Sequence, residues 1–371
     1  WLATYPESEL KGKMEYYIEP AEQTDDVIEQ LKAITPTSID PEQIKVLDPA
    51  AGSGHILVEV YEVLREIYLE RGYRLREIPE LILTKNIYGL DIDDRAAQLA
   101  GFALMMKARE DDRRIFQRVE DGEVALNVFS LQSTESLDVG DIWQALNIDN
   151  VASTLSINDL FSEDTAFDPV GRGELGEHYV LLNVLIDVFK QAKTLGSLID
   201  IGRFMQDELV KKQDAVTRLE DQRIKLNKER NKTIDDKKSV TELGNQIVEL
   251  DSKISYQVQA VDQFKGIFDQ LASVLQVFLI KITELTLSSD PSAKTAANEL
   301  LPILNQAMVL AQKYDAVIAN PPYMGGKFYN DCLKKYLKEY FEVASSDIYA
   351  AFVSKGLKLT KRSGHLSFIT L

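Results

Sequence analysis

The pattern that most constrains the fold of this chain lies between residues 44 and 94. An apolar segment at 44–47 precedes the glycine-rich sequence Asp-Pro-Ala-Ala-Gly-Ser-Gly at 48–54, and a segment with helical periodicity follows. A second apolar segment at 86–90 leads into Asp91 and a further helical segment that begins at Arg95. Strand, tight turn, helix and strand in this order predict a βαβ unit, in which the second strand lies parallel to the first.

The turn at 48–54 has three properties suited to a charged adenosyl ligand. Ala50, Gly52 and Gly54 are small enough to let the backbone approach a ligand closely. The N-terminus of the following helix offers unpaired N–H groups to a carboxylate. Asp48 can accept a hydrogen bond from an ammonium group or organise the loop. A generic glycine turn of a doubly wound fold is the alternative, and the spacing disfavours the Gly-x-Gly-x-x-Gly site of a dinucleotide.

Asp91 falls at the carboxyl end of the second predicted strand. An acid in that position commonly accepts hydrogen bonds from the ribose hydroxyls of a nucleoside-type cofactor. The next residue, Ile92, fits either contact with an adenine ring or a place in the core. Asp93 and Asp94 are more typical of caps for the next helix.

The second chemistry-bearing motif is Asn320, Pro321, Pro322 and Tyr323, which follows the apolar residues 316–319. We expect it where a buried strand ends and a loop begins. The Asn320 amide offers an acceptor oxygen and two donor hydrogens, and the prolines stiffen the loop and remove two backbone donors. Tyr323 supplies an aromatic face on this support. The loop therefore suits a planar amine that is stacked on one face and hydrogen-bonded to the Asn320 side chain and a backbone carbonyl.

The charge of the chain is strongly acidic but uneven. A net charge of −17 argues against nucleic-acid binding by the whole surface of this chain, because neutralising the phosphates needs clustered Lys and Arg. Residues 321–371 reverse that balance, with eight Lys and Arg against four Asp and Glu. Any surface for a polyanion is therefore expected beside the Asn320 loop.

Cysteine, histidine and hydropathy exclude several classes of protein. The single cysteine excludes an internal disulfide framework and fits a reducing cytosol, so a cytoplasmic location is expected. The three histidines are scattered without metal-ligand spacing, and no metal site is expected. No apolar segment reaches about 18 residues, so no membrane span is expected.

A long helical region separates the two motifs. Periodicity is helical from about 180 to 286, and the apolar residues between Leu243 and Phe278 mostly recur every three or four positions, as in a coiled coil. With a polar turn at 231–236, an antiparallel hairpin inserted into an α/β domain is the simplest interpretation; a solvated helix without a partner is the alternative. Strands are also expected at 122–130, 314–319 and 365–370, a helix at 348–359, and loops with short helices at 131–175.

Both motifs and their order resemble those of the methyltransferases that modify the amine of adenine in DNA. The sequences at 54–59 and 88–100 are similar to PglX-type methyltransferases of the BREX phage-defence system and to related type II restriction–methylation fusion enzymes. The resemblance covers residues 10–130 and 310–371. It implies an α/β fold with a Rossmann-like sheet for S-adenosylmethionine-dependent methyl transfer, carrying a long helical, coiled-coil-like insertion.

The resemblance implies four regions. Residues 1–45 would be an entry segment and cofactor lid, with a helix near 24–34, and 46–135 would be the S-adenosylmethionine-binding half. Residues 136–310 would be the mostly helical insertion, with its hairpin at 205–285. Residues 311–371 would be a truncated catalytic half, because both ends of the chain read as cut from a longer polypeptide.

The resemblance also implies a role for each motif residue. Residues that would hold S-adenosylmethionine are Asp48, Ala50, Gly52 and Gly54 for its methionine part, Asp91 for its ribose, and Ile92 and Phe352 for its adenine. An ordinary core position is the alternative for Phe352. Asn320 and the Pro321 carbonyl would accept hydrogens from the target adenine amine, and Tyr323 would stack on the flipped base.

The implied substrate is double-stranded DNA. It would be bound through the basic segment after residue 320 and through a target-recognition domain expected beyond residue 371. Other defence-system subunits are implied as partners, and the activity would mark host DNA.

Three departures from the family pattern are visible. Ala51 stands where the family usually has Cys, a small-for-small change. The family often has an acid after the third strand that binds the cofactor's adenine amine; here either Asn127 or no clear candidate stands in its place. The lid motif is only faint, around residues 16–24.

Two other functions stay open. The same loop can present a protein glutamine amide or an RNA base amine, and methyl transfer to those but not to DNA would favour that interpretation. A non-catalytic assembly module, with the hairpin as its docking arm, would keep its biological activity after Asn320→Ala.

Overall fold

A computed structural model describes residues 1–14, 17–146, 173–232 and 237–369. Within these residues lies a five-stranded sheet of order β3-β2-β1-β4-β5, and each neighbouring pair is parallel. The strands are β1 Val46–Asp48, β2 Ile87–Asp91, β3 Asn127–Ser130, β4 Tyr314–Ala319 and β5 Thr360–Phe368. The predicted α/β class, with parallel strands joined through helices, is confirmed.

The described helices fall into two groups along the chain. Before residue 147 they are α1 Leu10–Lys13, α2 Asp25–Ile34, α3 His55–Glu70, α4 Ile78–Leu81, α5 Asp94–Asp111, α6 Ile115–Glu120 and α7 Val139–Leu146. After residue 172 they are α8 Gly173–Phe189, α9 Ala192–Leu195, α10 Ile201–Lys232, α11 Lys237–Asp269, α12 Leu271–Leu285, α13 Pro291–Ala311, α14 Asp331–Tyr340 and α15 Ile348–Leu359.

Strand pairing shifts several predicted boundaries. Asp48 pairs with Gly89 and Asp91 with Ser130, so each acid is the last residue of its strand. β3 is shorter than the expected 122–130, and β5 begins earlier than 365. Hydrogen bonding to the partner strands determines where a strand ends, and the local apolar pattern does not contain that information.

Helix α3 packs against the sheet along Leu57, Tyr61, Leu64 and Tyr68, all of which are buried. These positions have helical spacing, but the buried stripe is centred one residue beyond the apolar residues Ile56 and Val60. The two tyrosines supply much of the buried surface, and counting only aliphatic residues misses them. The Tyr68 hydroxyl donates to Asn86 Oδ1 at 2.9 Å.

The chain divides into two compact units. The first comprises Trp1–Ser133, Gln191–Ile199 and Gln312–Leu371, and it contains the sheet. The second comprises Thr134–Lys190 and Asp200–Ala311. The four regions expected from the sequence stay predictions.

In the second unit, α10 and α11 pack as an antiparallel pair. Arg223 bonds Asp251 at 3.1 Å, and further from the connection the Lys212 ammonium lies 5.5 Å from the centroid of the Phe264 ring. The chain bends by 85° between α11 and α12, so the apolar seam expected to run through Phe278 is divided between two helices. Of the expected turn and loops, 233–236 and 147–172 lie outside the described residues.

Among the described helices, none has by itself the length and apolar composition to cross a membrane. The bent pair of α11 and α12 meets these requirements only when the two helices are taken together.

Candidate cofactor and catalytic site

The site is built on the carboxyl edge of the sheet. β1 lies between β2 and β4, with Val46 paired to Ile87 on one side and to Ala316 on the other. The chain leaves β1 toward β2 and returns to the other side of β1 only through β4, which makes the β1–β4 boundary a topological switch point. Asp48 therefore ends a strand that neighbours the strand preceding Asn320, and adjacent strands lie about 4.8 Å apart.

Asp48 is buried, with 1% of its surface exposed. Its Oδ1 accepts a hydrogen bond of 2.9 Å from the Ala50 N–H, while Oδ2 is buried without a partner among the described residues. Burial raises the pKa of Asp48 to about 7; the Ala50 N–H opposes the rise and the Asp91 charge adds to it. An unpaired buried acceptor is costly, and an ammonium group would supply both a donor and a compensating charge. The residue thus fits the ammonium of S-adenosylmethionine.

The turn after β1 depends on two glycines in the left-handed region. Gly52 has φ 54° and Gly54 has φ 84°. A Cβ at Gly54 would lie 2.7 Å from the Cα of Ala100, so α5 leaves no room for any other residue there. This close packing brings the N-terminus of α3, beginning at His55, beside the sheet edge.

Asp91 holds two loops together at that edge. Its Oδ2 accepts from the Gly52 N–H and its Oδ1 from the Asp93 N–H, each at 2.8 Å. Each oxygen keeps lone-pair capacity for a further donor such as a ribose hydroxyl. Beside it, Ile92 is 41% exposed. The assignments of Asp91 to a ribose and of Ile92 to an adenine stay predictions.

Asp93 and Asp94 differ in role. Asp93 caps α5, as predicted, because its Oδ1 accepts from the Arg95 and Ala96 N–H groups. Asp94 instead accepts from the Lys193 ammonium at 2.7 Å and from the Gln132 amide at 2.8 Å. Lys193, with help from Ser130 and Gln132, lowers the pKa of Asp94 to about 2.

The end of β3 contributes residues that the sequence analysis did not assign. Ser130 lies beside Asp91 in the sheet, and the Gln132 amide donates to its hydroxyl at 2.7 Å. Asn127 is the first residue of β3 and lies at the amino-terminal end of the strands, away from Asp91. Its side-chain amide donates to the Leu83 and Thr84 carbonyls. Asn127 therefore lies at the other end of β3 from Ser130, which pairs with Asp91. The available signal was position: Ser130 is the last residue of the predicted strand 122–130, and Gln132 follows it closely.

The Asn320 loop leaves the sheet directly after β4. Asn320 is exposed, Pro321 is buried, and Tyr323 is 40% exposed. The Tyr323 hydroxyl donates to the Ile369 carbonyl at 2.8 Å and lies 3.5 Å from Asn320 Oδ1. Its ring therefore stays on a fixed support while part of it faces outward.

Phe352 lies on α15 and is 6% exposed. Its burial agrees with a core position and also with contact to an enclosed adenine, so its predicted role stays a prediction.

The basic segment after residue 320 is not uniformly exposed. Lys355 is buried, Lys361 pairs with Asp315 at 2.8 Å, and the Lys358 ammonium lies 5.4 Å from the Phe341 ring centroid. Exposed cations of the segment include Lys327 before α14 and three on α14 itself, Lys334, Lys335 and Lys338.

Comparison with known proteins gives two family matches. A family described as Eco57I restriction-modification methylase matches residues 85–371, and one described as N-6 DNA Methylase matches residues 2–122. Together these matches span both motifs.

Two curated relatives agree with these matches. The chain is 43% identical over 364 residues to the adenine-specific methyltransferase BrxX of Escherichia coli O9:H4 (strain HS), covering 98% of this chain and 24% of that protein. It is 27% identical over 330 residues to the adenine-specific methyltransferase PglX of Lacticaseibacillus casei (strain Zhang), covering 89% and 20%. The chain thus spans a quarter or less of the length of these relatives, and the predicted relation to PglX-type methyltransferases is confirmed. By these matches, the chain belongs to the Eco57I restriction-modification methylase family.

Proposed function

We propose that this chain is the core of an enzyme that methylates the exocyclic amine of adenine in double-stranded DNA, within a phage-defence or restriction-modification system that marks host DNA. One observation carries the proposal: Asp48, whose Oδ2 has no partner among the described residues, ends β1, and the Asn320 loop begins where the adjacent strand β4 ends. The relatives BrxX and PglX are described as adenine-specific methyltransferases, which supports the choice of substrate.

The residues after β1 and β2 would bind the methyl donor. S-adenosylmethionine, when bound, supplies a methyl group on a sulfonium centre that a nitrogen lone pair can attack directly. Asp48 would accept from its ammonium group and Asp91 from its ribose hydroxyls. Gly52 leaves open space beside the turn for the ligand, and Gly54 lets α5 pack closely against the turn.

The Asn320 loop would hold the acceptor nitrogen. The Asn320 side-chain oxygen and the Pro321 carbonyl would accept the two hydrogens of the adenine amine, which keeps electron density on nitrogen and fixes its lone pair toward the methyl group. Tyr323 would stack on the base after it leaves the duplex. Catalysis would then depend mainly on alignment of the two reacting centres.

Exposed lysines beside this loop suggest how DNA reaches it. Lys334, Lys335 and Lys338 lie on one short helix, α14, that follows the loop, and Lys327 precedes it. Neutralising phosphates with such a cluster is the usual source of affinity for duplex DNA.

The proposal is tested with the full-length protein, labelled S-adenosylmethionine and duplex DNA. We expect label on adenine N6, and for Asn320→Ala a fall in turnover of about a hundredfold or more with unchanged donor binding. The matched control is Asn298→Ala, which changes an exposed helical Asn of the second unit and leaves turnover unchanged. Label on RNA or on protein but none on DNA, or full turnover by Asn320→Ala, would overturn the proposal.

A further inference from the structure

A short segment of the long insertion belongs to the unit that contains the sheet. Gln191–Ile199, here called the returning segment, lies in the first unit although the residues on either side of it belong to the second. It consists of α9 and a 3₁₀ turn at Gly196–Leu198. Ser197 is 2% exposed, and Leu198 and Ile199 are buried as completely. The end of the segment is therefore enclosed by other residues.

Its first attachment is to the turn after β1. The Ser197 hydroxyl donates to the Pro49 carbonyl at 2.5 Å, in a buried position. Pro49 directly follows Asp48, the residue proposed to bind the ammonium group of the donor. The hydroxyl thus fixes the peptide that orients Asp48, and a buried carbonyl left without this donor would carry a full desolvation penalty.

Its second attachment is to the loop after β2. The Lys193 ammonium donates to Asp94 Oδ1 at 2.7 Å and to the Ile92 carbonyl at 3.2 Å. Gly196, with φ 58°, lies beside Ile92: a Cβ built on it would be in ordinary van der Waals contact with Cδ1 of that side chain, at 3.8 Å. The returning segment therefore fixes the backbone that carries both Asp91 and Ile92.

Its third attachment is to α14, the helix that follows the Asn320 loop. The Tyr336 hydroxyl donates to the Leu198 carbonyl at 3.1 Å, and Cys332 Sγ lies 3.6 Å from the Gln191 amide oxygen. One segment of nine residues thus contacts the turn after β1, the loop after β2 and the helix after the catalytic loop.

We propose that Ser197 and Lys193 are positioning residues for the methyl-donor site, which the returning segment assembles from the turn after β1 and the loop after β2. This inference rests on the proposed function. Neither side chain needs to touch the donor: Ser197 acts through the Pro49 peptide, and Lys193 through Asp94 and the Ile92 carbonyl.

The test measures S-adenosylmethionine affinity by calorimetry on the full-length protein. Ser197→Ala and Lys193→Ala are each expected to weaken affinity about tenfold, and Lys193→Arg, which keeps the charge at Asp94, to restore most of it. KM for DNA at saturating donor should not change. A role in folding alone would lower the unfolding temperature and leave the affinity of the folded protein unchanged.

Two control variants match these changes in chemistry. Ser252 donates its hydroxyl to the Val248 carbonyl on α11, and Lys253 pairs with Glu249 on the same helix. Ser252→Ala and Lys253→Ala should leave donor affinity as it is.

The outcomes separate the two proposals. If the unmutated protein binds no S-adenosylmethionine, both the proposed function and this inference fail. If it binds and both Ser197→Ala and Lys193→Ala bind equally well, only this inference fails. Should Ser197→Ala not fold, the more exposed Lys193 and its Arg variant decide the question alone.

Discussion

The backbone N–H of Gly52 donates a hydrogen bond of 2.8 Å to Oδ2 of Asp91, and so joins the turn after β1 to the loop after β2. The same carboxylate accepts from the Asp93 N–H at 2.8 Å through its other oxygen. One side chain therefore holds two loops that leave neighbouring strands, and the proposed donor site needs both.

Replacing Asp91 should separate these roles. Asp91→Ala removes both acceptors, and we expect S-adenosylmethionine affinity to fall about a hundredfold, because hydrogen bonds to a charged group contribute about 1.5–3 kcal/mol each. Asp91→Asn keeps one acceptor oxygen and should lose about tenfold. Calorimetry on the full-length protein measures both. Unchanged affinity in Asp91→Ala would remove this residue from the site.

The two left-handed glycines of the turn should differ in their tolerance of a methyl group. Gly52→Ala meets no atom within 4 Å and should cost only the strain of its backbone conformation, about 1 kcal/mol. Gly54→Ala adds a collision with the Ala100 backbone, so we expect about 2–4 kcal/mol of destabilisation in a urea titration.

Gly72→Ala is the control for this comparison, because Gly72 also has positive φ and open space around it. It should match Gly52→Ala. Equal losses at Gly52 and Gly54 would contradict the tight packing of the turn on α5.

The pKa of Asp48, raised to about 7, makes the stability of the donor-free protein depend on pH. Between about pH 5 and 7 this carboxyl is ionised in the unfolded chain but still protonated in the folded chain. The free energy of unfolding therefore falls by about 1.4 kcal/mol for each pH unit of increase. Asp48→Asn lacks this titration. Relative to Asp48→Asn, the unmutated protein should lose about 2–3 kcal/mol over that range, measured by urea unfolding at each pH.

The same carboxyl predicts a pH dependence of donor binding. An ammonium group binds the ionised form, so S-adenosylmethionine affinity should weaken as pH falls below about 7, by up to about tenfold per unit. Proton release or uptake in calorimetry reports this linkage directly. A flat affinity from pH 5 to 7 would mean that Asp48 does not contact the ammonium group.

Two variants of Tyr323 separate stacking of its ring on the target base from the hydrogen bond of its hydroxyl. Tyr323→Phe keeps the ring and loses the bond to the Ile369 carbonyl, so we expect turnover to fall about fivefold. Tyr323→Ala also loses the ring, and since stacking contributes about 1–3 kcal/mol per base, turnover should fall further by about five- to a hundredfold. Single-turnover methylation of duplex DNA measures both; similar losses in the two variants would argue against stacking.

The lysines of α14 should set the salt dependence of DNA binding. The triple change Lys334→Ala, Lys335→Ala and Lys338→Ala should reduce the slope of log affinity against log salt by about 3, because each phosphate contact contributes about 0.9. Lys361→Ala is the matched control, because Lys361 already pairs with Asp315 and should leave the slope unchanged. An unchanged slope in the triple variant would place the DNA elsewhere.

Much of the fold follows from local sequence. The alternation of apolar strands, glycine-rich turn and amphipathic helix around Asp48 determines a βαβ unit, because a parallel pair needs a crossover and only small residues allow the tight turn. The helices α2 and α15 begin and end close to their predicted positions, since caps and periodicity are local properties. The Asn320 motif likewise predicted a loop after a buried strand, and β4 ends at Ala319.

Only the tertiary structure decided which of these pieces meet. The sequence left either Asn127 or no clear candidate for a contact after the third strand. Strand pairing places Asn127 beside Tyr88, at the start of β3, and Ser130 beside Asp91, at its end. The 85° bend after α11 is not visible in a continuous apolar periodicity. Above all, Ser197 lies 148 residues from Pro49 along the chain, and no local pattern links the two. Contacts between residues so far apart in sequence depend on the order of the strands and on the packing of whole helices. The sequence therefore identified the two motifs, and the tertiary structure determined which residues surround each motif.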